Sequence, residues 1–298
     1  MQTEDYVKAG KIAGEVRELA RGKNWIGKTS FEICEEIEGE IKKRGANCAF
    51  PVNTSINEVA AHYTAEPNDM LTIKEMDLVK IDLGAQINGY IADTAVTVCY
   101  DPQFEGLVKA AEDALNNAIS MIKAGIKASD IGRKIEDTIK QLGYKPIANL
   151  SGHSLDRYTI HAGKSIPNIW SIGSFSLSDK SAYACEPFVT TDDGLGFVRE
   201  GKTRNIFALA SRKKTKDENA DEMLDEIWKR FNMLPFALRW LLDKWEEKEA
   251  RKTLEFLVKK KAVHAYPVLI EANGQRVSQA EHTFIPTDTG VTITTISQ

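Results

Sequence analysis

The sequence predicts an α/β (α+β) fold: a mainly antiparallel sheet backed by helices, built from two related halves and interrupted by a helical insertion. Three observations predict it. A helix pair closed by glycine occurs twice, with Ile37-Glu38, Ile41-Lys42 and Gly45 recurring 98 residues later as Ile135-Glu136, Ile139-Lys140 and Gly143, the mark of an ancient duplication with pseudo-two-fold symmetry. Between the copies, VKIDLGAQINGYIADTAVTV (79–98) alternates β-branched residues around Asn88-Gly89, the strongest short hairpin signal. Residues 212–262 then turn lysine- and glutamate-rich.

The elements follow in order. From Thr3 to Gly22, Val7, Ile12, Val16 and Leu19 fall near helical spacing. A second helix starts at Thr29-Ser30 with Glu32 in its first turn, places Phe31, Ile33, Ile37 and Ile41 on one face and stops at Gly45. After the hairpin, helices are expected over 103–125 and 129–143, and strands within 145–161, 182–190 and 195–209. The charged stretch carries helical patterns at 218–230, 234–243 and 247–261. Strand texture returns at 275–285 and 291–296.

Composition bounds the function. The chain has 298 residues, 42% hydrophobic and 28% charged, with a formal charge of −4. That is a globular average which excludes a disordered or fibrous protein and argues against one that mainly grips phosphate backbones. Cys34, Cys48, Cys99 and Cys185 form no CxxC pair, as expected of free thiols in a reducing compartment. Neither a signal peptide nor a membrane span is legible. A cytoplasmic protein is expected.

The hairpin geometry brings out the first chemistry. With Asn88-Gly89 as the turn, Asp82 lies opposite Ala95, so Asp82 and Asp93 share a face as diagonal neighbours, about 7–8 Å apart at the backbone. Two inward carboxylates on apolar strands need a positive partner: backbone amides or Lys80 on one reading, a metal on the other. His153, in the small-residue string Ser151-Gly152-His153-Ser154, and Glu186 and Glu281, each in an apolar strand, add to the set. This donor set is hard and oxygen-rich and suits two divalent ions better than a structural zinc. His264 and His282 are assigned to ordinary surface or structural roles, because His282 points away from the face Glu281 uses.

The order Asp82, Asp93, His153, Glu186, Glu281 resembles the ligand series of the peptidase M24 or pita-bread superfamily of methionine aminopeptidases, aminopeptidase P and prolidase. FPVNTSINEVAAHYT, KIDLGAQINGYIADTAVTV, NLSGHSLDRYTIHAG, CEPF and QAEHTF resemble the type 2 methionine aminopeptidases in particular. The helical insertion and the short N-terminus are similar to the archaeal form. The resemblance implies a pita-bread catalytic domain over 1–208 and 268–298, with a helical insertion subdomain over 209–267. It implies two divalent metal ions (Co, Mn, Fe or Zn) held by Asp82, Asp93, His153, Glu186 and Glu281, with Glu186 also moving protons. It implies that His62 and His161 contact the substrate amide and oxyanion, and that fumagillin-type epoxides attack His62. Phe50, Ile160, Phe188 and Tyr266 fall where that family lines its methionine pocket. Asn53, Met76 and the 190–200 loop depart from the family pattern near the substrate mouth.

The implied activity is metal-dependent removal of N-terminal methionine from nascent proteins and peptides with a small second residue. An X-Pro aminopeptidase or prolidase would carry an extra N-terminal domain, and a non-catalytic pita-bread binding module would lack part of the ligand set. A monomer is expected, with no membrane association. The lysine runs at 213–216 and 259–261 read either as a solvated face, the commoner case, or as a transient ribosome contact.

Overall fold

The computed structural model describes residues 3–296. Its first half packs α1 (Thr3–Gly22) and α2 (Ser30–Lys43) on an antiparallel sheet. That sheet is formed by β1 (Asn47–Ile56) and, after the short β2 (Val59–Ala61), by the hairpin β3 (Leu78–Ile87) and β4 (Tyr90–Cys99), in the order β1–β3–β4. The Thr29 side chain caps α2 while Glu32 bonds back to the Thr29 amide, the reciprocal pair that the sequence signals. Ile33, Ile37 and Ile41 share a core with Val79, Ile81 and Leu83 of β3.

The face expected of α1 is corrected. Val7 is exposed, and the buried stripe is Tyr6, Ala9, Ala13, Val16 and Ala20. Of the expected residues Val16 is buried and Ile12 and Leu19 are half-buried, and the small alanines between them let the helix lie close to its sheet.

The second half repeats the plan. After a 3₁₀ turn at Pro102–Phe104, α3 (Glu105–Ser120) and α4 (Ala128–Gln141) share a core with Tyr183, Cys185 and Phe284. Gly45 and Gly143 both sit in the left-handed region, at φ +86° and +80°, where a glycine ends a helix without strain. The strands here are short: β5 (Lys145–Pro146), β6 (Ser151–Leu155), β7 (Ser165–Pro167), β8 (Ala182–Cys185) and β9 (Phe188–Thr190). They continue with β10 (Val198–Glu200) and β11 (Ile206–Leu209).

Beyond β11 come α5 (Glu218–Phe231), β12 (Phe236–Ala237) and α6 (Glu247–Lys259). The chain closes with β13 (Val263–Tyr266), β14 (Leu269–Glu271), β15 (Val277–Gln279), β16 (His282–Thr287) and β17 (Gly290–Ile293). The helix expected at 234–243 is absent. The stretch is β12 followed by a 3₁₀ turn, Leu238–Leu241. Residues from Leu209 to Val263 form an apolar cluster of their own around Met223, Ile227, Phe236, Leu241 and Leu254.

The five-stranded sheet runs β17–β16–β8–β6–β7. The two halves meet along a seam between β4 and residues 279–283. Ala95 bridges Glu281. The Thr283 hydroxyl accepts from the Asp93 amide and donates to the Asp93 carbonyl, both at 2.8 Å. Thr97 treats Gln279 in the same way, at 2.7 and 2.9 Å. Hydroxyls thus replace ladder bonds where the sheets cannot continue. No helix among the described residues is long and apolar enough to cross a membrane.

Candidate metal centre and substrate cleft

The seam collects the carboxylates. In the hairpin, Ile87 pairs with Tyr90, Asp82 with Ala95 and Asp93 with Gly84, which is the register that the Asn-Gly turn dictates. Glu281 arrives across the seam opposite Ala95. His153 lies mid-β6 opposite Ala184, and Glu186 follows directly on β8. One ligand atom from each of Asp93, His153 and Glu281 lies within 4.8 Å of the others. His153 Nε2 is 3.5 Å from both Asp93 Oδ2 and Glu186 Oε1. Asp82 and Glu186 each lie 3.4 Å from the Gln279 amide nitrogen, which is 3.3 Å from Glu281. All five residues expected to hold metal therefore form one cluster.

Two local features make this possible. A Cβ on Gly152 would lie 2.2 Å from the Ala184 carbonyl, so only glycine lets β6 approach β8 beside His153. A Cβ on Gly84 would lie 2.3 Å from the Phe50 ring. Irregular register in β1 shifts the pairing between Cys48 and Phe50, and again before Asn53 opposite Asp82. Such bulges re-aim side chains, and both Phe50 and Asn53 line the cleft.

Among the described residues no cationic side chain balances the cluster. Lys80, the alternative partner, is fully buried but donates to the Asn57 and Val277 carbonyls at 2.9 and 2.7 Å. Burial pushes the Asp82 carboxyl up to about 7 against the Gln279 hydrogen bond. Burial and the neighbouring carboxylates hold Asp93, Glu186 and Glu281 well above the ordinary range. Burial holds His153 well below its ordinary value and therefore neutral. Among the described residues, Asp82 Oδ1, Asp93 Oδ1, Glu281 Oε1 and His153 Nδ1 are buried without a hydrogen-bond partner. Orphaned carboxylate oxygens around a neutral imidazole fit a divalent cation, which would supply the missing charge and partners.

Two further histidines line the cleft. His62 holds a left-handed backbone at φ +66°, uncommon for a residue with a Cβ and frequent at functional sites. Its Nδ1 lies 3.2 Å from the Pro267 carbonyl. A carbonyl only accepts, so Nδ1 carries the proton. Burial and the nearby His161 hold the ring's pKa down to about 4, leaving Nε2 as an acceptor. The exposed His161 stands edge-on to His153, ring centroids 4.5 Å apart. His264 stacks edge-on against Tyr266 at 4.6 Å, and His282 Nδ1 bonds Arg17 and Thr295 away from the carboxylates.

A pocket of about 70 Å³ opens above the cluster, with Phe50, Asn53, Ile160, Ile206, Pro235 and Tyr266 among its walls. Phe188, expected there, instead lines an adjoining cavity of about 320 Å³ with Leu150, Lys164 and Leu269. His62, His153, His161 and Glu186 face both spaces. Sequence reading missed Ile206, Pro235 and Gln279. Only Gln279 left a signal, a buried amide two residues before Glu281 and so on the same strand face.

Comparisons with known proteins agree with this geometry. Residues 4–206 match the model of metallopeptidase family M24. The chain is 42% identical over 298 residues to the methionine aminopeptidase of Methanocaldococcus jannaschii, covering 99% of this chain and 100% of that one. It is 43% identical over 296 residues to that of Pyrococcus abyssi, with 99% and 100% covered. Among solved structures, the methionine aminopeptidase of Thermotoga maritima superposes with a TM-score of 0.70 at 23% identity, covering 99% and 96% of the two chains.

Proposed function

The chain belongs to metallopeptidase family M24, with the pita-bread fold, and from that premise we propose that it removes the N-terminal methionine of peptides and nascent chains when the second residue is small. The observation that carries this reading is the buried, uncompensated cluster of Asp82, Asp93, Glu186, Glu281 and His153 beside a small apolar pocket. Those five residues would hold two divalent ions (Co, Mn, Fe or Zn). Bound, such ions supply Lewis acidity and bring the pKa of water toward neutrality.

The protein's own residues do the rest. Glu186, whose carboxylate faces the cleft 3.5 Å from His153 Nε2, takes and returns a proton. His161 donates toward the oxygen where negative charge develops. His62, with its proton on Nδ1, accepts the N–H of the scissile amide at Nε2 and so fixes the amide plane. The pocket has room for roughly five water-sized groups, which suits the four heavy atoms of a methionine side chain packed against Phe50 and Tyr266. Crowding at the second residue sets that preference, one methylene being worth about 1–3 kcal/mol. Residues 209–267 act as an insertion subdomain roofing this pocket. The protein works as a cytoplasmic monomer, its lysine runs at 213–216 and 259–261 exposed as a solvated face.

The test is cleavage of Met-Ala-Ser against Ala-Pro-Ala. Methionine release that is abolished by chelator and restored by cobalt or manganese is expected. Preference for Ala-Pro-Ala would make the chain an X-Pro peptidase, and cleavage of neither peptide by metal-loaded protein would make it a binding module.

A further inference from the structure

Behind the pocket wall lies a second cavity of about 460 Å³, whose lining includes Leu234, Pro235, Arg239 and Trp240. Pro235 thus faces space on both sides, the substrate pocket on one and this cavity on the other. Its neighbours Leu234 and Phe236 are packed in apolar clusters, but Pro235 itself, with space on both faces, gains little from dispersion contacts, so polar anchoring beside it helps to fix the wall. Four residues along the chain from Pro235, Arg239 is ion-paired to Glu38 of α2, their side chains only 3% and 2% exposed. Glu38 also accepts from the Trp240 indole at 2.6 Å and from the Val52 amide at 3.1 Å. Arg239 donates further to the Thr64 hydroxyl at 3.1 Å, and Thr64 lies two residues past His62.

We propose that the Glu38–Arg239–Trp240 clamp sets the depth of the first-residue pocket and so selects the side chain that the enzyme accepts there, an inference that rests on the peptidase reading above. Glu38 and Arg239 are positioning residues, acting through Pro235. A buried ion pair adds little net stability over an apolar pair of the same volume, whereas its directional bonds fix the β12 segment relative to α2. With the clamp gone, the wall is free to retreat into the cavity behind it.

The experiment uses full-length, metal-loaded protein carrying Arg239→Met, Glu38→Gln or the double change Glu38→Leu/Arg239→Met. The double change strands no buried charge and keeps the test valid if a single variant does not fold. Metal content, kcat and KM are measured on Met-Ala-Ser, with kcat/KM compared across Met-, norleucine- and Leu-Ala-Ser. Affinity for free L-methionine is read by thermal shift. The expected result is parental metal content and kcat within roughly threefold, with KM raised about tenfold, the signature of lost ground-state binding. Preference for Met over Leu falls several-fold, and L-methionine affinity falls with it. A double variant with parental KM, preference and L-methionine affinity overturns the proposal. So does a loss of kcat in step with metal content at unchanged preference. A parent that cleaves no methionine peptide sinks the peptidase reading, while the clamp is still judged on L-methionine affinity.

Discussion

His62 concentrates three constraints in one side chain: a left-handed backbone, an Nδ1 proton committed to Pro267, and an imidazole that stays neutral to about pH 4. His62→Asn keeps a residue that tolerates that backbone but removes Nε2. It is expected to retain metal, melt within a few degrees of the parent, lose about 10²-fold in kcat through mispositioning of the amide, and escape capture by fumagillin-type epoxides. A metal-depleted variant would assign His62 to structure instead. The carboxylates make a second prediction, on stability. Asp82 has its pKa raised to about 7 in the fold against about 3.9 unfolded, so the folded, metal-free protein binds the extra proton and loses stability as pH rises toward and through 7. His62, His153 and His282 have lowered values and act in the opposite sense below about 6.5, where unfolded histidine protonates. The carboxylate effect therefore shows above that pH. Chelator-treated protein should melt lower at pH 8 than at pH 6.5, and Asp82→Asn should reduce the difference, with Asp93, Glu186 and Glu281 carrying the rest. A flat parental profile would contradict the burial argument.

The hairpin was fully legible because an Asn-Gly turn fixes register, and from register follow the shared face of Asp82 and Asp93 and the place of Ala95 opposite Asp82. Carboxylates isolated in apolar strands stand out in a sequence, which is why the cluster of Asp82, Asp93, Glu186 and Glu281 with His153 could be read there. The seam could not be. Thr283 and Thr97 look like ordinary strand threonines until β4 and residues 279–283 are brought together from opposite ends of the chain. Pro235 and Ile206 left no periodic signal for the same reason, since they reach the pocket through β12 and β11. The error at 234–243 has a local cause: LPFALRWL reads as helical, yet Phe236 pairs with Phe207 and Arg239 turns inward to Glu38. Tertiary contacts outweighed propensity there. The seam also predicts its own fragility. Thr283→Val keeps the shape but strands the amide and carbonyl of Asp93, at about 1–3 kcal/mol for each buried group left unpaired. The melting temperature should fall by several degrees, and metal should dissociate more readily because Asp93 is no longer held at its backbone. Unchanged metal affinity by titration calorimetry would show that the strand alone suffices to place Asp93.

At the scale of the whole molecule, the insertion joins the rest through the paired strands at its base and through the contacts of Arg239 and Trp240 with Glu38. β11 and β13 pair antiparallel from Ile206–Tyr266 to Leu209–Val263, and the Ala210 and Ser211 amides both donate to the Ala262 carbonyl, at 2.8 and 3.0 Å. Chain ends this close can be joined by a short turn, so replacing 212–261 with a Gly-rich linker leaves Ile206 and Tyr266 paired while removing Pro235 and Arg239. The apolar cluster around Met223, Ile227 and Leu254 leaves with the insertion, so the remaining core is opened mainly where Leu234 packs against Tyr6, Phe50 and Ile160. One liability does remain: Glu38 would keep its burial and lose Arg239 and Trp240, and a buried charge stripped of its partner costs about 3–5 kcal/mol. The replacement therefore needs Glu38→Leu beside it. With that change, the shortened protein is expected to fold and bind metal, because all five residues proposed to hold it lie outside the excised segment. KM for Met-Ala-Ser should rise more than kcat falls, since the pocket keeps Phe50, Ile160 and Tyr266 but loses one wall. Calorimetric metal binding and cleavage kinetics on the same preparation separate the possibilities. Parental KM would reduce the insertion to a surface appendage, and lost metal binding would show that the insertion supports the metal centre itself.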